Sequence, residues 1–334
     1  MNVWKLVSAG VLEHMETENP AREEKKVRVR VTKVLVNGTD NAIFNGDLKV
    51  KYPLIPGRYA VGMVAEDGVP HLPKGTRLLL HSVIDAPDTG TKPKDFSEDE
   101  FLLCGRTTDG YMRDLISIPS DQFTVLPDSL HDENALLMHH VALAKAAADK
   151  LGAVKGQHIA VIGANLLGIL LCQLLIYQQA APILIDAQPE RLEFARSCGI
   201  YYTIASDADI LKKVAGITGG RLVSGAAYIT TALRNDVNTA FSLCAQNANV
   251  VLCGFGDGIQ LSATVPFRKQ LAFYCVSHRS DNLEAAINLA VRGAVDVSAF
   301  RFRSVKAEDT AGLLEVYRST PEKKLGEINL VSLY

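Results

Sequence analysis

Residues 158–186 read HIAVIGANLLGILLCQLLIYQQAAPILID, and their order decides the fold. Four apolar residues, Ile159 to Ile162, stop at Gly163. Gly168 follows five positions later and opens an apolar segment long enough for several helical turns. A second apolar run, Ile183-Leu184-Ile185, then ends on Asp186. Strand, glycine turn, helix, strand and terminal acid is the order of a dinucleotide-binding βαβ unit. The acid lies 23 residues after the first glycine, close to the roughly 20 such units use.

In the usual glycine fingerprint the middle position is a second glycine, which lets the backbone approach a pyrophosphate closely. Here it is Asn165, a residue that tolerates unusual backbone angles but still carries a side chain. Gly163, Asn165, Leu166, Leu167 and Gly168 form the expected phosphate cradle at a helix N-terminus. Asp186 is placed to accept the ribose hydroxyls of NAD and to repel the 2′-phosphate of NADP, so NAD is the expected cofactor. It could equally cap the helix that begins near Pro189. The competing reading is a doubly wound domain that kept its shape and lost its ligand.

Outside this unit, composition sets broad limits. The 334 residues are 48% hydrophobic and 22% charged, with a net charge of −2. These values suit a globular protein of two domains and favour neither nucleic acid nor an anionic membrane as partner. No apolar run is long enough to span a bilayer, and MNVWKLVSAG lacks the form of a signal peptide. The six cysteines (104, 172, 198, 244, 253 and 275) include no C-x-x-C pair, which fits free thiols in a reducing cytoplasm.

From Trp4 to Asp40 the pattern is mainly strand, with perfect alternation over Lys26–Val31. Short strands continue to Pro127, interrupted at residues 81–109 by a polar, acidic stretch read as a surface excursion. Glu133–Leu151 reads as one helix. Beyond Asp186, strands are expected at 201–204, 225–229, 249–253 and 271–276, with helices between several of them. That alternation implies a parallel, doubly wound sheet. The helix over 281–292 and a mixed tail follow. The expected architecture is α/β: a mostly antiparallel β domain over 1–138 and 279–334, and a doubly wound dinucleotide domain over 139–278, with ligand in a cleft between them.

Several segments carry a resemblance. Asn37-Gly38-Thr39-Asp40 resembles the Cys-Gly-Thr-Asp of the medium-chain dehydrogenase/reductase family, especially its zinc-type alcohol, sorbitol and threonine dehydrogenases. Pro56 to Gly62 resembles its Pro-Gly-His-Glu-x-x-Gly, and Asp109 to Arg113 with Pro119-Ser120-Asp121 resembles its Gly-Gly-(Phe/Tyr)-Ala-Glu-Tyr…Pro-Ala-Asp. Gly152 to Gly168 matches the entry to the cofactor fold. The resemblance implies a GroES-like catalytic domain, a Rossmann cofactor domain, hydride transfer to or from a nicotinamide, and a dimer or tetramer.

It also shows where this chain departs. The family's catalytic zinc ligands and the neighbouring Glu correspond to Asn37, Arg58, Tyr59 and His139, and the lobe of four structural cysteines corresponds to a segment holding only Cys104. Arg has no lone pair to offer, and zinc sites are built from thiolate, imidazole and carboxylate. No metal is therefore expected at either place. In its stead Arg58 could pair with Asp40, either as an electrostatic surrogate for the metal or as a structural plug. Thr39 stands where a family hydroxyl relays a proton, or simply caps its turn. Tyr59 could donate a proton with help from Arg58 or Lys145, or could only pack. Of His139 and His140, one can face inward, as a base or as a hydrogen-bonded filler. Arg191 lies where a family residue covers the adenine side, and Ser277 through Arg279 ends the last strand where nicotinamide is expected. The expectation is a cytoplasmic, zinc-independent, NAD-preferring oxidoreductase acting on a small polar alcohol, polyol or carbonyl. The rival is a non-catalytic nucleotide- or metabolite-binding protein on the same scaffold.

Overall fold

The computed structural model describes residues 1–67, 71–85, 101–229, 237–253, 260–277, 283–319 and 327–333. The chain forms two compact units: Met1–Leu137 with Phe300–Tyr334, and Met138–Ala299. Met138 and residues 283–299, expected with the first domain, group instead with the second, where the Leu283–Val291 helix packs on the Met138–Leu151 helix.

The first unit is built on the Lys26–Val36 strand, whose alternation buries Val27, Val29 and Val31. Tyr59–Val64, Leu115–Pro119 and Glu327–Ser332 all pair with it antiparallel. The sheet runs Arg301–Lys306, Glu327–Ser332, Lys26–Val36, Tyr59–Val64, Arg77–Leu80, Phe123–Val125, and only its first pair is parallel. One face buries a core that includes Trp4, Leu6, Phe44, Met112 and Leu314.

Two local readings are corrected here. Strand does not continue to Asp40, because Asn37 starts the Gly38–Asn45 helix. Its side-chain oxygen accepts the N–H groups of Thr39 (2.7 Å) and Asp40 (3.3 Å), while an Asp40 oxygen accepts the Asn37 N–H at 3.0 Å. This reciprocal capping satisfies donors that a helix start leaves open. The helix expected over 133–151 is two pieces, Asp132–Ala135 and Met138–Leu151. Most of the expected acidic excursion, residues 86–100, lies outside the described residues.

The second unit is a six-stranded parallel sheet in the order Tyr202–Ala205, Ala181–Asp186, His158–Ile162, Val223–Ile229, Cys244–Cys253, Ala272–Val276. Counted along the chain this is 3-2-1-4-5-6, the doubly wound dinucleotide order, whose direction reverses between the first and fourth strands. The Leu166–Tyr177 helix is apolar on every side, as a helix buried from Leu167 to Leu175 must be. It packs on the sheet and on the Met138–Leu151 helix. Its single interior polar residue, Gln173, is satisfied: the side-chain amide donates to the Asp296 carbonyl and accepts from the Asp296 N–H, both at 3.0 Å. The α/β class, with an antiparallel unit and a doubly wound parallel one, is as the sequence implies.

Candidate functional site

In the second unit, the turn after His158–Ile162 is shaped by its two glycines. Gly163 has φ +113°, a conformation L side chains rarely adopt, and a Cβ there would lie 3.1 Å from that of Ile229. A Cβ on Gly168 would fall 1.9 Å from the Gly163 carbonyl oxygen. Helix and turn are therefore pressed together as closely as backbone permits. Asn165 needs no unusual backbone angle: its φ is −93° and its side-chain oxygen accepts the Gly168 N–H at 3.0 Å. It is a helix N-cap, and it occupies a donor at the edge of the phosphate cradle. Leu166 and Leu167 form the first turn, where helix geometry leaves N–H groups without intrahelical acceptors.

Asp186 ends the second strand with no exposed surface. One carboxylate oxygen accepts the Ala164 N–H at 2.7 Å, tying the acid to the glycine turn, and the other accepts the Gln188 N–H at 2.9 Å. The residue at the N-cap of the next helix is Gln188, so Asp186 secures the turn before that helix. Arg191 is itself buried and brings a guanidinium nitrogen to 3.7 Å from Asp186. The expected ribose acceptor is thus present and covered by a cation. Ser277 is exposed beyond the last strand, and Arg279 lies outside the described residues. The cradle suits a dinucleotide: its two close approaches are ones only glycine allows.

In the first unit the structure brings together Asp40, Arg58 and Tyr59. All three are buried, Arg58 at 5% exposure. Asp40 accepts the Gly57 N–H at 3.3 Å as well as that of Asn37. Burial pushes its carboxyl up to about 6, against the opposing pull of those two N–H groups and of the Arg58 charge. The expected Arg58–Asp40 ion pair is not among the ion pairs of the described residues; both carboxylate oxygens point at backbone donors instead. Arg58 lies 5.8 Å from the centre of the Tyr59 ring. Burial raises the Tyr59 phenol and Arg58 only partly offsets it, so the phenol is a weaker proton donor than a free tyrosine. Lys145, named as a second helper, pairs with Asp149 at 2.6 Å. Thr39 is half-buried, its N–H held by Asn37. His139 is buried near the start of the Met138–Leu151 helix in the second unit.

The sequence reading did not single out Tyr111 and Arg113, nor give Cys104 a place in the site. The Tyr111 hydroxyl donates to the His81 carbonyl at 2.6 Å, and the Cys104 thiol lies 3.5 Å from that hydroxyl. Burial raises the thiol, and Tyr111, Arg58 and Arg113 pull it back, so both guanidiniums act on one buried sulfur. A signal for Arg113 existed: it stands where the resembling motif carries Glu, a reversal of charge.

These donors do not fit a zinc ion. The Asn37 oxygen is committed to two N–H groups, Arg58 is a cation, and the Tyr59 phenol is held protonated by burial. Among the described residues, no group of three or more His, Cys, Asp or Glu side chains could hold a metal.

A doubly wound unit with a glycine turn and an acid tied to it, and a separate antiparallel unit on the same chain, define a dinucleotide-dependent dehydrogenase scaffold. Residues 23–128 match the family model described as alcohol dehydrogenase GroES-like domain, and residues 167–292 the one described as zinc-binding dehydrogenase. An uncharacterized zinc-type alcohol dehydrogenase-like protein of Haemophilus influenzae is 25% identical over 328 residues, covering 95% of this chain and 94% of that protein. An alcohol dehydrogenase of Geobacillus stearothermophilus is 26% identical, covering 85% and 87%. The crystal structure of 2R,3R-butanediol dehydrogenase from Bacillus subtilis superposes with a TM-score of 0.85 at 19% identity, covering 100% of this chain and 99% of that one. An E. coli structure described as a short chain alcohol dehydrogenase complexed with NADH gives 0.85 at 18% identity, with 100% and 99% covered. The chain belongs to the medium-chain dehydrogenase/reductase family and is an alcohol dehydrogenase-like oxidoreductase.

Proposed function

We propose that the protein is a zinc-independent, NAD-preferring oxidoreductase that moves hydride between nicotinamide and a small polar alcohol, polyol or carbonyl compound. The observation that carries this reading is the glycine turn locked to Asp186 through the Ala164 N–H. Relatives in solved structures support a nicotinamide cofactor: the E. coli protein is complexed with NADH, and a Sinorhizobium meliloti dehydrogenase is bound to NADP. When bound, the nicotinamide supplies or accepts the hydride. The first-turn N–H groups of Leu166 and Leu167 would face the pyrophosphate, and Asp186 would accept ribose hydroxyls once Arg191 moves off it. Arg58 would stabilise charge on the substrate oxygen in place of a Lewis acid. Asp40, its carboxyl raised to about 6, would take up or release a proton near that pH and be mostly ionised at neutrality. His139 and Thr39 are the further candidates for moving a proton, and Ser277 for the nicotinamide end.

Zinc in enzymes of this kind contributes several kcal/mol of charge stabilisation, and a fixed guanidinium recovers only part of it, so slow turnover is expected. The donor set favours zinc independence although the Haemophilus influenzae relative is described as zinc-type. The test is fluorescence titration with NADH and NADPH, then turnover with NAD across polyols, sugars and hydroxy acids, on protein whose metal content has been measured. Stoichiometric zinc required for activity would refute zinc independence. Tight NADH binding without turnover across the panel would favour the non-catalytic reading, which the N-cap role of Asn165 and the covered Asp186 support. The protein is proposed to work in the cytoplasm as a homo-oligomer. Among the described residues, no helix is long and apolar enough to cross a membrane.

A further inference from the structure

Arg58 is a buried cation that forms no ion pair among the described residues, although its charge acts on Asp40. Two of its nitrogens, Nε and Nη2, are closed off from solvent and have no hydrogen-bond partner. They are the two nitrogens of one edge of the planar guanidinium, the edge that grips a carboxylate through two parallel N–H···O bonds. Tyr59 interacts with the same group, but as a ring at 5.8 Å and a neutral phenol it supplies no counter-charge.

The nearby acids are engaged elsewhere. Asp40 gives its oxygens to the N–H groups of Asn37 and Gly57. Asp109 accepts the Ile55 N–H at 2.9 Å, and its charge acts on Arg113. Arg113 is a second cation of this region, and its own Nε is buried without a partner. A buried charge left without a partner is strongly destabilising, so an open guanidinium edge in this enclosure calls for an anion from outside the chain.

We propose that the Nε–Nη2 edge of Arg58 binds the carboxylate of a small organic acid, which makes the substrate of this site a hydroxy or oxo acid. A neutral polyol brings no charge to the edge, and its hydroxyls lack the fixed pair of acceptors the fork requires. This rests on the reading of the Arg58 region as the substrate end of an oxidoreductase, and it is tested by binding alone.

The experiment is calorimetry on the full chain with lactate, pyruvate, their uncharged amides, glycerol and inorganic phosphate. It is run on the wild type and on Arg58→Lys, Arg58→Gln and Arg58→Met, with circular dichroism confirming each fold. Lactate or pyruvate is expected to bind the wild type at least about thirty-fold more tightly than its amide. Arg58→Gln and Arg58→Met lose that preference, and Arg58→Lys, which keeps the charge without the edge, restores only part of it. Arg58→Met also melts higher than wild type, because it removes a buried charge that has no ion pair. If the Gln and Met variants fail to fold, the acid-against-amide comparison on the wild type and the Lys variant still decide. Equal affinity for acid and amide, retained acid binding in Arg58→Met, or binding of phosphate or glycerol alone would overturn the inference, as would absence of binding at millimolar acid. Acid binding without turnover would leave it standing and defeat the oxidoreductase reading; turnover of neutral polyols without acid binding would do the reverse.

Discussion

Replacing Gly168 by alanine sets two physical effects of opposite sign against each other. Helix propensity alone predicts that alanine stabilises by about 0.8–1 kcal/mol relative to glycine. The structure predicts the reverse, because the new Cβ would lie 1.9 Å from the Gly163 carbonyl oxygen, and both are fixed by backbone. Turn and helix must part by at least about 1.5 Å to reach ordinary contact. The Gly163 N–H bond to the Ile185 carbonyl (2.8 Å) and the Ala164 N–H bond to Asp186 (2.7 Å) are anchored in that turn and would be strained with it. Loss of these together with the overlap amounts to about 3 kcal/mol, or roughly 6–12 °C in the melting midpoint of a unit this size. The control is Gly216→Ala in the exposed part of the Ile210–Ile217 helix, where a Cβ meets nothing within 4 Å. There the propensity term acts alone and the midpoint rises. Thermal unfolding by circular dichroism reads both variants, and NADH fluorescence titration reads the turn. A Gly168→Ala protein that melts as high as wild type and binds NADH unchanged would refute the argument that the glycines hold helix and strand in register.

Three further outcomes are expected. Because the folded Asp40 carboxyl is raised from 3.8 to about 6, the folded state binds the extra proton, so stability falls as pH rises through that window. The resulting cost of about 3 kcal/mol is fully present above it; denaturant unfolding of Asp40→Asn should lack this slope, and identical slopes would count against the raised carboxyl. Gln173→Leu leaves the Asp296 N–H without its acceptor and should cost about 1–3 kcal/mol despite the gain in apolarity, read as a shift in denaturant midpoint. Finally, Cys275 is exposed and Cys198 half-buried while the other four thiols are buried, and burial pushes Cys244 and Cys253 up to about 12. A thiol reagent should label Cys275 first and Cys198 more slowly, and reach all six cysteines only after denaturation.

The doubly wound sheet was legible because most of its strands contain a short apolar run bounded by glycine or polar residues, and periodicity reports burial directly. The glycine turn and Asp186 were legible for a related reason: close backbone approach leaves no residue choice, so it is written in the sequence. The end of the first strand region is obscured because Asn37-Gly38-Thr39-Asp40 also reads as a family motif with one changed residue. Their spacing, a capping residue followed three positions later by an acid, also states a helix start. The break before Met138 was hidden because Leu136 and Leu137 keep the apolar pattern while the backbone leaves the helix. The Arg58–Asp40 pair failed for a different reason. Opposite charges at the right places suggest a bond, but competition from the backbone N–H groups of Asn37 and Gly57 shows only in three dimensions. Arg113 carries no signal from periodicity; only its charge, opposite to the Glu of the resembling motif, marks it.

The Leu166–Tyr177 helix also bears on the order in which the chain is made. It has no charged residue and no face suited to water, so it needs cover from the moment it forms. The Met138–Leu151 helix that covers it lies upstream and has already been synthesised when it emerges. The Asp296 backbone that satisfies Gln173 comes 123 residues later. Until that segment is made, a polar amide sits inside an otherwise oily helix without its final partner. Nascent chains stalled between these two points should therefore be the most dependent on chaperones.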